Sequence, residues 1–303
     1  MTSRSKSVGR FAPSPTGPLH MGSLVAAVGS WLFARRENGR WLVRIEDLDT
    51  PRVVPGSADE ILHALERYGL EWDGEPVRQS ERTALYEAAL TQLRESGDVF
   101  DCACSRAELQ RAASAPDSSD PREGSVYPGT CRAGLPAGRD ARAVRFRVPD
   151  VVIEFDDLVH GPVEEEIARA TGDFVIRRAD GLFAYQLAVV VDDAEEGITQ
   201  VVRGGDLLDS TPRQIALQRA LGFATPAYAH LPLLVGPDGQ KIGKRHAALP
   251  LPSLDEQKVR ESLRDALGIL GIVTGEGSCA EILSEAVTLF EPGRIPRDPV
   301  IAR

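Results

Sequence analysis

Arg10-Phe11-Ala12-Pro13-Ser14-Pro15-Thr16-Gly17-Pro18-Leu19-His20-Met21-Gly22-Ser23 is the stretch on which the fold turns. Residues 8–12 (VGRFA) read as a short strand, and residues 13–18 as a rigid Pro/Gly turn. Leu24, Val25, Val28, Trp31 and Leu32 then recur at helical spacing, which predicts a helix over 21–36. A turn that delivers a helix N-terminus presents backbone N–H groups to anions. Gly22 would let a nucleotide approach the backbone closely. His20 could hydrogen-bond a phosphate that gains charge in a transition state. By itself, His-x-Gly reads first as a tight turn with a capping histidine, and only the longer string favours a nucleotide site.

Outward from this stretch the alternation continues. Residues 40–45 (RWLVRI) read as a second strand, and 57–68 as a helix with Ser57 as N-cap and Glu60 closing a capping box. Strand–helix–strand–helix order predicts a parallel α/β sheet. Residues 112–140 are rich in Ser, Pro, Gly, Asp and Arg and read as loop. Short strands follow at 143–148 and 151–155. The alternation resumes with FVIRR from 174, a helix around 183–190, a strand ITQVV and a helix from about 211 to 221. Residues from 253 onward read as helical.

Three further segments carry chemistry. Arg44-Ile45-Glu46-Asp47-Leu48-Asp49-Thr50-Pro51-Arg52 closes the second strand, where ligands of open α/β sheets bind and where carboxylates suit an ammonium group. Tyr185 precedes Val202-Arg203-Gly204-Gly205-Asp206, whose Arg203 ends a strand and can grip a carboxylate with two bonds. Thr211-Pro212 reads as an N-cap with Pro at the first helical position. Lys241-Ile242-Gly243-Lys244-Arg245 is a basic loop able to close on ATP phosphates. Each also reads as an ordinary surface loop or capped turn.

Cys102-Ala103-Cys104 precedes Tyr127 and Cys131, and Cys279 stands apart. Three thiols within one loop-rich insertion suit zinc or reduced free thiols equally.

The chain has 303 residues and a formal net charge of −10, with 45 acidic and 35 basic side chains. That balance argues mildly against an RNA partner. Local basic clusters at Arg35-Arg36, Arg177-Arg178 and Lys241 to Arg245 keep one open. The N-terminus has no apolar stretch after its basic residues, and no run approaches the roughly 20 apolar residues of a membrane helix. A cytoplasmic, monomeric protein is the expectation, with no membrane and no DNA partner.

Taken together, the motifs closely resemble class I aminoacyl-tRNA synthetases of the glutamate-specific kind. The first string resembles the HIGH region, with Ser23 where His is usual. Arg44 to Asp49 resembles the RIEDTD segment, and Lys241 to Arg245 the KMSKS loop, with Gly243 and Arg245 where Ser is usual. The Ser23-Leu24 variant and the Cys-x-Cys, Tyr-x-x-x-Cys pattern are similar to the short paralogue subfamily, the glutamyl-queuosine tRNA(Asp) synthetases. The resemblance implies an α/β class I catalytic domain of Rossmann type, with a parallel sheet, a zinc-bearing insertion and a small helical C-terminal region. The implied boundaries are 1–97 and 174–252 for the catalytic halves, 98–173 for the insertion and 253–303 for the helical region.

The resemblance also implies roles. Arg10, Phe11, Ala12, Pro13, Ser14, Glu46, Tyr185 and Arg203 would hold glutamate, with Glu46 on the α-amino group. His20, Gly22, Lys241 and Lys244 would meet ATP, His20 and Lys244 being catalytic and Mg²⁺ accompanying the nucleotide. Cys102, Cys104, Tyr127 and Cys131 would hold one structural zinc. The implied acceptor is queuosine at the wobble position of tRNA(Asp). Roughly 50 residues follow the basic loop, fewer than the order of 100 that a separate domain needs, so no anticodon-binding domain is expected. The alternatives are a synthetase charging the 3′ end of tRNA(Glu), a nucleotidyltransferase with another small substrate, and a non-catalytic tRNA-binding paralogue.

Overall fold

The computed structural model describes residues 6–105, 107–109, 126–236, 251 and 255–301. Lys241 and Lys244, and with them the basic loop, lie outside the described residues. So do residues 110–125, the first part of the loop-rich stretch.

The chain opens with β1 (Val8–Phe11), α1 (Met21–Arg36), β2 (Arg40–Ile45), α2 (Ser57–Arg67), β3 (Val77–Arg78) and α3 (Thr83–Glu95). The middle holds β4 (Val99–Cys102), β5 (Ala143–Phe146), β6 (Val152–Asp157), β7 (Gly161–Glu166), the short α4 (Ile167–Ala170) and β8 (Phe174–Arg177). There follow α5 (Tyr185–Glu195), β9 (Gln200–Gly204), α6 (Thr211–Leu221), β10 (Ala227–Leu231) and β11 (Leu234–Val235). The described chain closes with α7 (Glu256–Ile269), α8 (Cys279–Leu289) and β12 (Val300–Ile301).

Strands β1, β2 and β3 form one parallel sheet, and β9, β10 and β6 another, with β7 antiparallel at its edge. The two meet where β1 lies beside β9. There the Thr199 N–H donates to the Val8 carbonyl at 2.9 Å, and the Val8 N–H donates to Thr199 Oγ1 at 2.9 Å. Across the join the order is β3-β2-β1-β9-β10-β6-β7. The chain reverses direction of growth between β1 and β9, and the carboxyl ends of those strands flank the crevice in which such sheets bind ligands.

Period-2 alternation assigns each strand residue to a face. Trp41, Val43, Ile45, Val202, Ala229 and Leu231 pack with α1, α2, α7 and α8 in one core. Leu42, Val201 and Tyr228 pack with α3, α5 and α6 in the other. Both faces of the sheet are covered, and the C-terminal helices share a core with α1. The segment 98–173 supplies strands to two sheets: β6 and β7 join β10, whereas β4 and β5 form an antiparallel sheet with β8. No described helix is long and apolar enough to cross a membrane.

Two caps differ from the sequence expectation. Gly56, at φ +81°, is the N-cap of α2, and Ser57 is its first helical residue. The Ser57 hydroxyl instead donates to the Gly17 carbonyl at 2.7 Å and accepts from the Gly17 N–H at 3.1 Å, stapling the Pro/Gly turn. Ser210 is the N-cap of α6 and Thr211 its first residue, because Thr211 Oγ1 is engaged by Arg203.

Candidate active site

The crevice is a cleft of about 730 Å³. Its walls include Arg10 to Ser14, Thr16 to His20, Gly22, Ser23, Glu46, Tyr185, Arg203 and Gly204. Every expected glutamate- and ATP-site residue that the structure describes lines it. His20 is the N-cap of α1; its Nδ1 accepts from the Ser23 N–H at 3.2 Å, and Ser23 Oγ lies 3.2 Å from Nε2. A Cβ on Gly22 would stand 3.2 Å from the His20 ring, so this position favours glycine by contact. The loop before α1 is tied down from outside: the Glu46 N–H donates to the Pro13 carbonyl and the Val54 N–H to the Pro15 carbonyl, both at 2.9 Å.

Arg10 and Glu46, which line the cleft, belong to a buried cluster rich in carboxylates. Arg10 and Arg44 stand on the same sheet face, since Arg10 is opposite Leu42 in register and Arg44 lies two residues beyond. That face meets α5. Arg10 Nε donates to Asp193 Oδ1 at 3.1 Å, and Arg44 Nη1 pairs with Asp193 at 2.8 Å and Glu196 at 2.5 Å. Arg82 Nε donates to Asp192 at 2.6 Å. Four carboxylates, Glu46, Asp192, Asp193 and Glu196, thus share three guanidiniums. Glu46 has the weakest share. Its Oε1 lies 3.5 Å from Arg44 Nη2 and is a buried acceptor without a hydrogen-bond donor. Burial raises the Glu46 carboxyl to about 7, against the opposing pull of Arg44 and Arg10.

The cleft also carries an uncompensated cation. Arg203 is 5% exposed, and its five N–H bonds meet neutral acceptors. Nε donates to His230 Nε2 at 3.0 Å; Nη1 to Gln214 Oε1 at 2.8 Å and the Tyr185 hydroxyl at 3.3 Å; Nη2 to Thr211 Oγ1 at 2.8 Å and the Leu207 carbonyl at 3.2 Å. Among the described residues no carboxylate lies within ion-pair distance of it. Tyr185 feels both Arg203 and Glu46. Burial pushes its phenol up, Arg203 opposes that shift and Glu46 adds to it.

The cysteine cluster lies apart, in a small core of Phe100, Cys102, Ala103, Tyr127 and Cys131. The three expected sulfur ligands lie within 4.8 Å of one another, and Cys104 Sγ is 3.7 Å from Cys131 Sγ. The Tyr127 hydroxyl is 3.5 Å from Cys102 Sγ and 3.7 Å from Cys104 Sγ. Zinc–sulfur bonds of about 2.3 Å in a tetrahedron set sulfurs about 3.8 Å apart, and a sulfur about 3.5 Å from an oxygen ligand. The donor set therefore fits a tetrahedral metal ion. Arg145 braces it: Nε donates to Cys102 Sγ at 3.3 Å, and its guanidinium lies 3.9 Å from the centre of the Tyr127 ring. Of the basic pairs outside this cluster, Arg35 is engaged by Asp73, Arg177 by Glu87, and Arg178 by Asp49 and Asp180.

Several residues of the site escaped sequence reading. The sequence motifs assign no role to Arg44 and do not mark Asp192 or Asp193. Their signal is a charged residue inside an otherwise apolar strand or helix. His230 and Asp157 left only a lone histidine in a strand and an acid at a strand end.

Residues 6–287 match the family model described as tRNA synthetases class I (E and Q), catalytic domain. The fold and the cleft thus define a class I tRNA synthetase, a ligase. The chain is 56% identical to the Glutamyl-Q tRNA(Asp) synthetase of Geobacter sulfurreducens, covering 95% of this chain and 93% of that one. It is 54% identical to the protein of that name from Thiobacillus denitrificans, covering 98% and 97%. The chain belongs to the family of glutamyl-Q tRNA(Asp) synthetases. Among solved structures, it is similar to the glutamate-tRNA synthetase of Elizabethkingia anophelis, with a TM-score of 0.81 at 26% identity, over 99% of this chain and 68% of that one. A glutamate tRNA ligase from Elizabethkingia meningosepticum, in complex with its amino acid, gives 0.80 at 27%, over 98% and 67%.

Proposed function

We propose that the cleft binds L-glutamate, activates it with ATP to glutamyl-adenylate without tRNA, and transfers the glutamyl group to queuosine at the wobble position of tRNA(Asp). The observation that carries the amino-acid reading is the opposed pair of unmet charges. A buried guanidinium with five neutral acceptors is costly unless an anion joins it. A buried carboxylate oxygen without a donor is costly in the same way. A zwitterion with an acidic side chain answers both: its γ-carboxylate at Arg203, its ammonium at Glu46.

The glutamate α-carboxylate attacks the ATP α-phosphate in line, forming the mixed anhydride and releasing pyrophosphate. His20 and Lys244 stabilise the phosphate charge, with Gly22 and Lys241 beside the nucleotide and Mg²⁺ bound to it. A hydroxyl of queuosine then attacks the activated carbonyl and AMP leaves. The relatives' names support this acceptor, and an anticodon loop offers unstacked bases that a pocket can read. Cys102, Cys104, Cys131 and Tyr127 would hold one zinc, which would tie the loop around residue 127 to β4.

The test supplies labelled glutamate and ATP with tRNA(Asp) carrying queuosine, tRNA(Asp) lacking it, and tRNA(Glu). Label is expected on the first alone, with pyrophosphate exchange proceeding before any tRNA is added. Label on tRNA(Glu), or exchange that requires tRNA, overturns the corresponding half of the reading.

A further inference from the structure

Arg203, the proposed anchor of the substrate side chain, is held by no carboxylate among the described residues. Behind it stands a row of side chains that crosses three strands on one face of the sheet. Arg203 on β9 is opposite His230 on β10, and Asp157 on β6 is opposite Tyr228, two residues before His230. His230 and the side chain of Asp157 are fully buried. Asp157 Oδ2 lies 2.6 Å from His230 Nδ1. Asp157 Oδ1 accepts from the N–H groups of Val159 at 3.0 Å, His160 at 2.9 Å and His230 at 3.3 Å. Three backbone donors therefore fix one carboxylate oxygen and leave the other for the imidazole.

We infer that Asp157 and His230 are a positioning pair for Arg203, fixing its guanidinium in the cleft while leaving its charge uncompensated for the γ-carboxylate of the bound amino acid. The inference rests on the glutamate reading of the cleft.

The protonation pattern follows from the contacts. Burial would raise the Asp157 carboxyl, but the imidazole and backbone donors outweigh it and hold the carboxyl below its ordinary value. Burial also holds the His230 imidazole below its ordinary value, with Arg203 acting in the same direction against the Asp157 hydrogen bond. An ionised Asp157 requires a proton on Nδ1. That places the lone pair of the neutral ring on Nε2, where it accepts the Arg203 Nε–H at 3.0 Å. Thr211 Oγ1, 3.2 Å from the same nitrogen, accepts from Arg203 Nη2 and completes the cradle.

A neutral spacer is what the site chemistry requires. Arg10 and Arg44 are paired directly with carboxylates, and their charge is met within the protein. A carboxylate placed directly on Arg203 would do the same and compete with the substrate. An imidazole orients the guanidinium with a hydrogen bond yet contributes no net charge. Asp157 stands one ring further away and selects the tautomer.

The experiment measures pyrophosphate exchange and separates KM for glutamate from KM for ATP in four full-length variants. Asp157→Asn keeps the shape but frees the ring to carry its proton on Nε2, where it can no longer accept from Arg203. His230→Ala removes the acceptor. Both are expected to raise KM for glutamate about 10- to 100-fold, the scale of one hydrogen bond to a charged group, with KM for ATP within about twofold. His230→Gln, neutral with one donor and one acceptor, is expected to retain most of the affinity. Arg203→Ala is the reference and should be impaired more than any of them. Unchanged KM for glutamate in Asp157→Asn and His230→Ala, beside an impaired Arg203→Ala, overturns the pair alone. So does a parallel rise in both KM values with a lowered melting temperature, the mark of a merely structural role. If Arg203→Ala itself binds glutamate normally, the reading beneath fails and takes this inference with it.

Discussion

Glu46 illustrates what a single side chain sets. Its carboxyl, ordinarily near 4.5, is raised to about 7, first by burial and only partly offset by Arg44 and Arg10. A protonated Glu46 cannot hold an ammonium group by charge. In the free enzyme, kcat/KM for glutamate should therefore fall roughly tenfold per unit as pH drops below about 7. Glu46→Gln should abolish that acidic limb and lower kcat/KM at pH 8; an acidic limb that persists would assign it to another group. The same shift bears on stability with the opposite benefit. The folded state holds this proton more tightly than the unfolded chain, so the contribution of Glu46 to stability declines as pH rises from about 4.5 to about 7 and then levels off. Glu46→Gln is therefore expected to be more stable than the parent at pH 8, by up to about 3 kcal/mol. Function and stability conflict at this residue, as is common where a site keeps a charge for its ligand.

At the scale of elements, the staple between α2 and the nucleotide loop decides how well the first motif is held. Ser57 makes two hydrogen bonds to Gly17, whose φ of +132° suits glycine. Ser57→Ala leaves α2 its glycine cap but releases the turn. The expected cost is about 1–2 kcal/mol in thermal or denaturant unfolding, with a raised KM for ATP and little change for glutamate. Equal effects on both substrates would mean that the turn serves the whole cleft. This contact also marks the limit of sequence reading. The helix over 21–36 and the strand over 40–45 were legible to the residue because their apolar periodicity is local. The caps at Ser57 and Thr211 were misplaced because their hydroxyls serve partners 40 and 8 residues away, and a window of sequence does not show long-range competition for a donor.

For the whole molecule, the same division holds between what is local and what the topology assembles. Arg10, Glu46, Tyr185 and Arg203 sit in strings whose composition already suggested a site. Asp157, His230, Asp192 and Asp193 became part of it only when β6, β10 and α5 were brought against β9 and β1. The cysteine cluster is the opposite case. Its pattern was plain in the sequence, yet its small core is separate from both large ones. Among the described residues this core holds five buried ones, too little apolar surface to order the loop around Tyr127 unaided, so the metal should supply that order. One zinc per chain is expected by elemental analysis. Its removal by chelation should open residues 99–104 and 126–132 to amide exchange while α1, β2 and β9 stay protected. Glutamate-dependent pyrophosphate exchange should fall less than about 10-fold, because the synthetic cleft draws its order from the two large cores. Cys131→Ser should reproduce the exchange pattern, and Tyr127→Phe should weaken metal retention less, since thiolate is the stronger ligand. Loss of protection across β1 and β9 on chelation would show instead that the metal holds the catalytic sheet together, and the separation of the cores would carry no energetic meaning.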